Sequence, residues 1–290
     1  MFNPENDLVV LMGPTASGKT KLAVQWAFEN NTEIISADSR QVYRQMNIGT
    51  GKDYNDYIIN GQQIKVHLID ICEPGDKYFI YQYQKDFSNA FSQLKSMGKI
   101  PILCGGTGLY IEAVLKEKKY TSIPVNETLR AKLIDKSMDE LLSIFIRYKT
   151  EYSQIADINT HKKLIRAIEI SEYLLHHDHV PNKLVYPENP ILYCLNPDRE
   201  TRRLRISERL KYRLKNGLIE EVEQLLNSGI SAESLMYYGL EYKFVTEFIT
   251  GVLDRNEMEI RLEFAIHQYA KRQMTWFRKM EKDGWKINWI

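Results

Sequence analysis

Eight residues near the start of the chain narrow its possible folds sharply. Gly13-Pro14-Thr15-Ala16-Ser17-Gly18-Lys19-Thr20 fits G-x-x-x-x-G-K-[ST] at every position. The block follows an apolar run, Leu8 to Met12, and opens a helical pattern, Lys19 to Asn30. A strand, a glycine-bearing turn and a helix in that order make a phosphate-binding loop. Its glycines let backbone N–H groups curl around phosphate oxygens, and the helix N-terminus adds partial positive charge. Lys19 supplies a point charge, and the Thr20 hydroxyl can ligate Mg²⁺. Taken alone, the loop predicts a di- or triphosphate site and leaves the compound open. A small-molecule or nucleoside kinase is the default reading of such a loop.

Other apolar runs end in the same manner. Glu33 to Ala37 stops at Asp38, Val66 to Ile69 at Asp70, and Ile100 to Cys104 at Gly105-Gly106. Between them, Tyr81 to Met97 has helical spacing, and Ile191 to Leu195 reads as one more buried strand. Strand-then-helix alternation predicts an α/β fold with a P-loop NTPase-like parallel sheet. Ligands then bind beyond the carboxyl ends of the strands. Residues 117–186 show helical periodicity without a convincing strand and read as a helical insertion domain. The core comprises residues 1–116 and 187–290, closing with helices from Arg199 to about Met280 that Gly217, Gly229 and Gly251 punctuate.

The charge is nearly balanced, 39 Lys+Arg against 38 Asp+Glu, which excludes a globally basic nucleic-acid binder. A local basic patch stays open. No apolar run reaches the ~18 residues of a membrane span, and the polar start is no signal peptide. Three cysteines without CxxC spacing suit a reducing compartment, and the cytoplasm is the expected location. Cys104 and Cys194, in apolar runs, read as inert core thiols.

Asp38, at the end of the second strand, faces the same crevice as the phosphate loop. It can serve as a general base, hold Mg²⁺ through water, or simply cap a helix. Asp70 reads either as a Walker-B-type acid or as a solvated turn carboxylate. Residues 199–215 hold eight Lys/Arg against two Glu. If they form a helix, Arg202, Arg205, Arg209 and Arg213 share one face.

Four blocks together resemble the tRNA dimethylallyltransferases, also called tRNA isopentenyltransferases. They are GPTASGKT from Gly13, DSRQVYRQMNIGTGK from Asp38, GGTGLY from Gly105, and AKRQMTWFR from Ala270. The likeness spans nearly the whole chain. It implies that the loop Gly13–Thr20 holds the diphosphate of dimethylallyl diphosphate. It implies transfer of the prenyl group to N6 of the adenosine 3′ of the anticodon, with release of diphosphate. In that reading Asp38 is the general base, and Lys19, Thr20 with Mg²⁺, and Arg209 stabilise the leaving group, with Arg205 beside it. Asp38, Ser39, Arg40 and Gln41 resemble the stretch that contacts the base, and Thr107 a further tRNA contact.

In the insertion, Arg130 resembles a tRNA contact, and Lys162, Lys163 and Arg166 align with a motif that is usually Gln-Arg-x-x-Arg. Lysine lacks the planar fork of arginine there. Arg202 and Arg213 are equally compatible with a solvated helix face. Trp276 and Phe277 read as core packing, and His176-His177-Asp178-His179 as a solvated helix end. A Gly-Tyr pair common in the family appears here as Glu241-Tyr242, where no chemistry is expected. The absence of a C-terminal zinc finger points to a bacterial-type enzyme. A monomer is expected, since one chain can bind one tRNA without symmetry. A P-loop kinase and a nucleotide-switched RNA-binding module are the competing readings.

Overall fold

The computed structural model describes residues 2–117, 119–177 and 184–290. Its elements run β1 (Leu8–Met12), α1 (Lys19–Glu29), β2 (Ile34–Ser36), β3 (Ile58–Ile59), β4 (Gln62–Gln63), β5 (Val66–His67), α2 (Ile80–Ser96), β6 (Ile102–Gly105) and α3 (Gly108–Leu115). They continue α4 (Glu127–Leu133), α5 (Met138–Phe145), α6 (His161–His176), β7 (Pro190–Cys194), α7 (Arg199–Lys215), α8 (Leu218–Asn227), α9 (Ala232–Tyr237), α10 (Leu240–Ile249), α11 (Arg255–Lys282) and β8 (Ile287–Trp289). Two compact units result, Met1–Lys116 with Val185–Ile290, and Glu117–Leu184.

The first unit is built on a six-stranded parallel sheet in the order β5-β2-β6-β1-β7-β8. β1 takes a central place because all five of its residues are apolar and buried. Side chains alternate across a strand, so its residues divide between two cores. Leu8, Val10 and Met12 pack with Phe87 and Phe91 of α2, Ile111 of α3 and Phe277 of α11. Val9 and Leu11 pack with Ala23, Val24 and Ala27 of α1. A third core joins α7, α8, α10 and α11 to the Val42–Met46 loop.

The sheet departs from the sequence expectation at its edges. β5 covers only Val66 and His67, because Leu68 and Asp70 adopt left-handed backbone at φ 62° and 55° and break the ladder. β8 was not legible: three residues after a long helix carry little pattern. It forms because β7 offers an open edge, where Leu192 aligns with Ile287 and Cys194 with Trp289. The β3–β4 hairpin, two residues a side, was also unread.

In the second unit, Leu141 and Phe145 of α5 pack with Leu133 of α4 and with Leu164, Ile165 and Ile168 of α6. Asn126, Ser137 and Thr160 cap the three helices by accepting backbone N–H groups, which is why each begins where it does. The His176–His179 reading falls partly outside the described residues; His176 and His177 are exposed. No helix among the described residues is long and apolar enough to cross a membrane.

Candidate active site

One cavity of about 930 Å³ opens at the carboxyl ends of β1, β2 and β6. Thr15–Thr20 line it after β1, Asp38–Gln41 after β2 and Gly105–Thr107 after β6. This is the crevice that parallel α/β sheets offer to ligands.

The phosphate loop is shaped from both ends. Gly13 lies against Leu195, where a Cβ would stand 3.0 Å from the leucine side chain. Gly18 adopts φ 89° as it enters α1, a conformation that suits glycine. Gly13 and Pro14 shape the turn that leads into the lining residues Thr15 to Thr20. The Lys19 ammonium donates to the Pro14 carbonyl at 2.7 Å. Desolvation pushes it down to about 8, and the nearby Arg209 adds repulsion. Arg209 in turn donates to the Thr15 hydroxyl. Desolvation lowers it to about 10, with Arg213 contributing repulsion. Two cations held so close and so dry mark a place built for an anion.

Asp38 lines the same cavity, near enough to act on the charges of Lys19 and Arg209. No helix follows it, so it is not a helix cap; its Oδ1 accepts the Arg40 N–H at 2.9 Å and closes a turn. Thr107 braces that turn. Its N–H donates to the Ala37 carbonyl at 3.2 Å, and its hydroxyl accepts the Ser39 N–H at 3.1 Å. Gly105 permits this approach: a Cβ there would fall 2.2 Å from the Ala37 carbonyl oxygen. The Gln41 amide donates to the Gly51 carbonyl at 3.2 Å, and the Arg40 guanidinium lies 5.3 Å from the Tyr237 ring centre.

Along α7, Arg205, Arg209 and Arg213 line the cavity, whereas Arg202 does not. Arg202 belongs to a separate basic groove with Arg199, Arg203, Lys271 and Arg278. Arg213 is buried, not solvated: it lies 3.5 Å from Glu241, which also lines the cavity. No chemistry was expected at Glu241-Tyr242, and what Glu241 forms there is an ion pair in the cavity wall. Tyr242 is buried too, donating to Glu221 at 2.7 Å.

Asp70 is engaged by its neighbours. Its carboxylate pairs with the buried Lys52 and accepts the Tyr54 hydroxyl, away from the cavity lining. It fixes a loop. Cys194 is buried as expected, while Cys104 lines the cavity; burial raises both thiols, to about 12 and about 11. Trp276 and Phe277 are core residues, Trp276 filling the space left by Gly108.

In the second unit, Arg130 and Arg166 turn inward. Arg130 lies 2.8 Å and Arg166 3.5 Å from the buried Glu169 carboxylate, and Arg166 also donates to the Ile123 and Pro124 carbonyls. The tRNA-contact reading did not anticipate this internal pairing, which holds the start of α4 to α6. Lys162 and Lys163 are exposed, Lys163 pairing with Asp157.

The sequence reading missed Gln273. Its Oε1 accepts the Thr15 N–H and its Nε2 donates to the Gly106 carbonyl, each at 2.8 Å. A signal existed: an amide at a position that Ala270, Met274 and Phe277 mark as a buried helix face. It also missed Tyr237 and Tyr269 in the cavity wall.

Two family models match the chain, one described as IPP transferase over residues 41–280 and one as isopentenyl transferase over residues 6–70. A relative from Phocaeicola vulgatus, named tRNA dimethylallyltransferase 2, is 52% identical over 98% of this chain and 92% of its own length. One of the same name from Porphyromonas gingivalis is 52% identical over 98% and 93%. The crystal structure of a tRNA isopentenylpyrophosphate transferase from Bacillus halodurans superposes with a TM-score of 0.69 at 29% identity, covering 98% of this chain and 89% of that one. A eukaryotic dimethylallyltransferase acting on tRNA shares the fold, with a TM-score of 0.74 at 21% identity over 93% and 69%.

Proposed function

The chain belongs to the tRNA dimethylallyltransferase family, and from that premise we propose how its cavity transfers a dimethylallyl group to tRNA. The acceptor is N6 of the adenosine 3′ of the anticodon, and the donor is dimethylallyl diphosphate. The observation that carries this reading is the pairing of an anion loop, with Lys19 and Arg209, and a carboxylate, Asp38, around one cavity. Phosphoryl transfer could use the same loop and carboxylate, and it is membership of the family that favours prenyl transfer over it.

The amine nitrogen attacks the allylic C1 carbon as the C1–O bond to diphosphate breaks. The N6 proton passes to the Asp38 carboxylate, which Thr107 and the Arg40 N–H hold in place. Backbone N–H groups from Ala16 to Thr20, with Lys19 and Arg209, take up the charge developing on diphosphate. Arg205 stands at the cavity mouth, exposed enough to meet diphosphate or RNA phosphate. The adenosine must leave its stack to enter, at a cost of roughly a few kcal/mol. Ser39, Arg40 and Gln41 line the wall it would meet, and Tyr237 offers a ring there.

The residues present fit Mg²⁺. The Thr20 hydroxyl and the carboxylates of Asp38 and Asp53 line the cavity, all hard oxygen donors. Among the described residues no group of three or more His, Cys, Asp or Glu could hold a metal ion. Thr20 would be the protein ligand of Mg²⁺. When bound, it would neutralise charge on the leaving diphosphate. We place the reaction in the cytoplasm, with the anticodon stem-loop as the bound region, Lys162 and Lys163 as exposed phosphate contacts, and a monomer as the working unit.

The test uses purified protein, unmodified tRNA, labelled dimethylallyl diphosphate and Mg²⁺. Label on the tRNA and one diphosphate released per label is the expected result. ATP consumption with a phosphorylated product would establish the kinase instead.

A further inference from the structure

Gln273 sits on the buried face of α11, where an amide has to find partners. It finds two of opposite kind. The Thr15 N–H of the phosphate loop donates to its Oε1, and its Nε2 donates to the Gly106 carbonyl of the β6–α3 turn. Thr15 is held at both polar groups, since its hydroxyl takes the Arg209 guanidinium. It is the anchor of the loop. The β6–α3 turn continues into Thr107, which braces Ala37 and Ser39 on either side of Asp38. One amide therefore ties the loop that grips the anion to the turn that fixes the carboxylate. Gly106 is shaped for it: a Cβ there would stand 2.4 Å from the amide nitrogen. Glutamate has the length but two acceptors, and methionine has the length but neither group.

We infer that Gln273 is a positioning residue for the transfer reaction, setting the distance between the diphosphate loop and Asp38. The inference rests on the prenyl-transfer reading. Each substrate is gripped by its own half of the cavity, so ground-state binding survives when the tie is cut. The transition state spans both halves and does not.

The test is steady-state kinetics of Gln273→Met and Gln273→Glu with tRNA and dimethylallyl diphosphate, counted per folded protein by circular dichroism. For Gln273→Met we expect kcat to fall roughly 10²-fold while KM for either substrate moves by less than about threefold. Gln273→Glu should show the same fall, with a raised KM for the diphosphate, because the new carboxylate faces its loop. If Gln273→Met does not fold, Gln273→Asn, one methylene short with both polar ends kept, should give the same split. An unchanged kcat per folded protein, or a loss that lies wholly in one KM, overturns the inference while the wild type still transfers. No transfer by the wild type overturns the reading and the inference together.

Discussion

Arg213 and Glu241 form an ion pair in the cavity wall, 3.5 Å apart, with side chains only 6% and 16% exposed. Arg213 lies one turn beyond Arg209 on α7, and a Cβ on Gly51 would stand 2.2 Å from its guanidinium. Glu241 thus balances a third arginine in a site that already concentrates positive charge. The pair gives Glu241 a defined electrostatic role in the cavity wall.

Removing one member of a buried pair strands the other. Glu241→Ala should cost about 3 kcal/mol of folding stability, read from the urea midpoint. The double change Arg213→Met with Glu241→Gln should recover most of that loss. Equal stability of Glu241→Ala and the wild type would show that the pair is not coupled.

Asp38→Asn should reduce turnover by roughly 10²–10⁴-fold, the scale of general-base loss. The Arg40 N–H can still donate to the asparagine oxygen, so the turn should persist and tRNA affinity should change little. A normal rate would remove Asp38 from the mechanism.

Lys19 titrates within an accessible range. Its ammonium is held down to about 8 by desolvation, so it is charged at pH 7 and loses that charge as pH rises. Affinity for inorganic pyrophosphate, measured by calorimetry, should therefore weaken between pH 7.5 and 9.5 on the scale set by one reduced charge. Folding stability should move the other way. The unfolded chain keeps the Lys19 proton up to the ordinary lysine value of about 10.5, so it binds more protons than the folded one above pH 8, and stability rises with pH there. A flat binding profile would assign the anion to other groups.

Glu221 is buried and accepts the N–H groups of Asn47, Ile48 and Gly49 at 2.8, 2.7 and 3.0 Å, together with the Tyr242 hydroxyl. Those residues carry the loop whose carbonyls hold Gln41. Glu221→Gln turns one acceptor into a donor against N–H groups and should cost about 2–3 kcal/mol. Thermal melting checks the cost. Prenylation of tRNAs altered next to the target adenosine checks whether Gln41 has shifted.

Several parts were legible early because local chemistry specifies them. β1 and α1 are marked by five apolar residues, a glycine turn and an amphipathic run, each sufficient over a short window. The glycines at 217, 229 and 251 fall at helix ends with φ of 102°, 96° and 77°. Asp38, Lys19, Thr107 and Arg209 could be nominated because they sit in dense motifs. Arg213, Glu241 and Glu221 could not, since an arginine on a charged helix looks solvated until something covers it. Asp70 stayed open between two readings for the converse reason. A carboxylate after a strand resembles a metal ligand, and only the buried Lys52, 18 residues earlier, shows its charge to be spent.

The linear chain carried the phosphate loop, the parallel sheet and the family blocks, because each depends on residues close together along it. Which polar groups face one another across the cavity was set by folding. Gln273 meets Thr15 across 258 positions, and Glu221 meets the Asn47 N–H across 174. No periodicity or spacing encodes such pairings. They arise when α8 and α11 pack against the loops that leave the sheet, and buried polar groups must then find partners there.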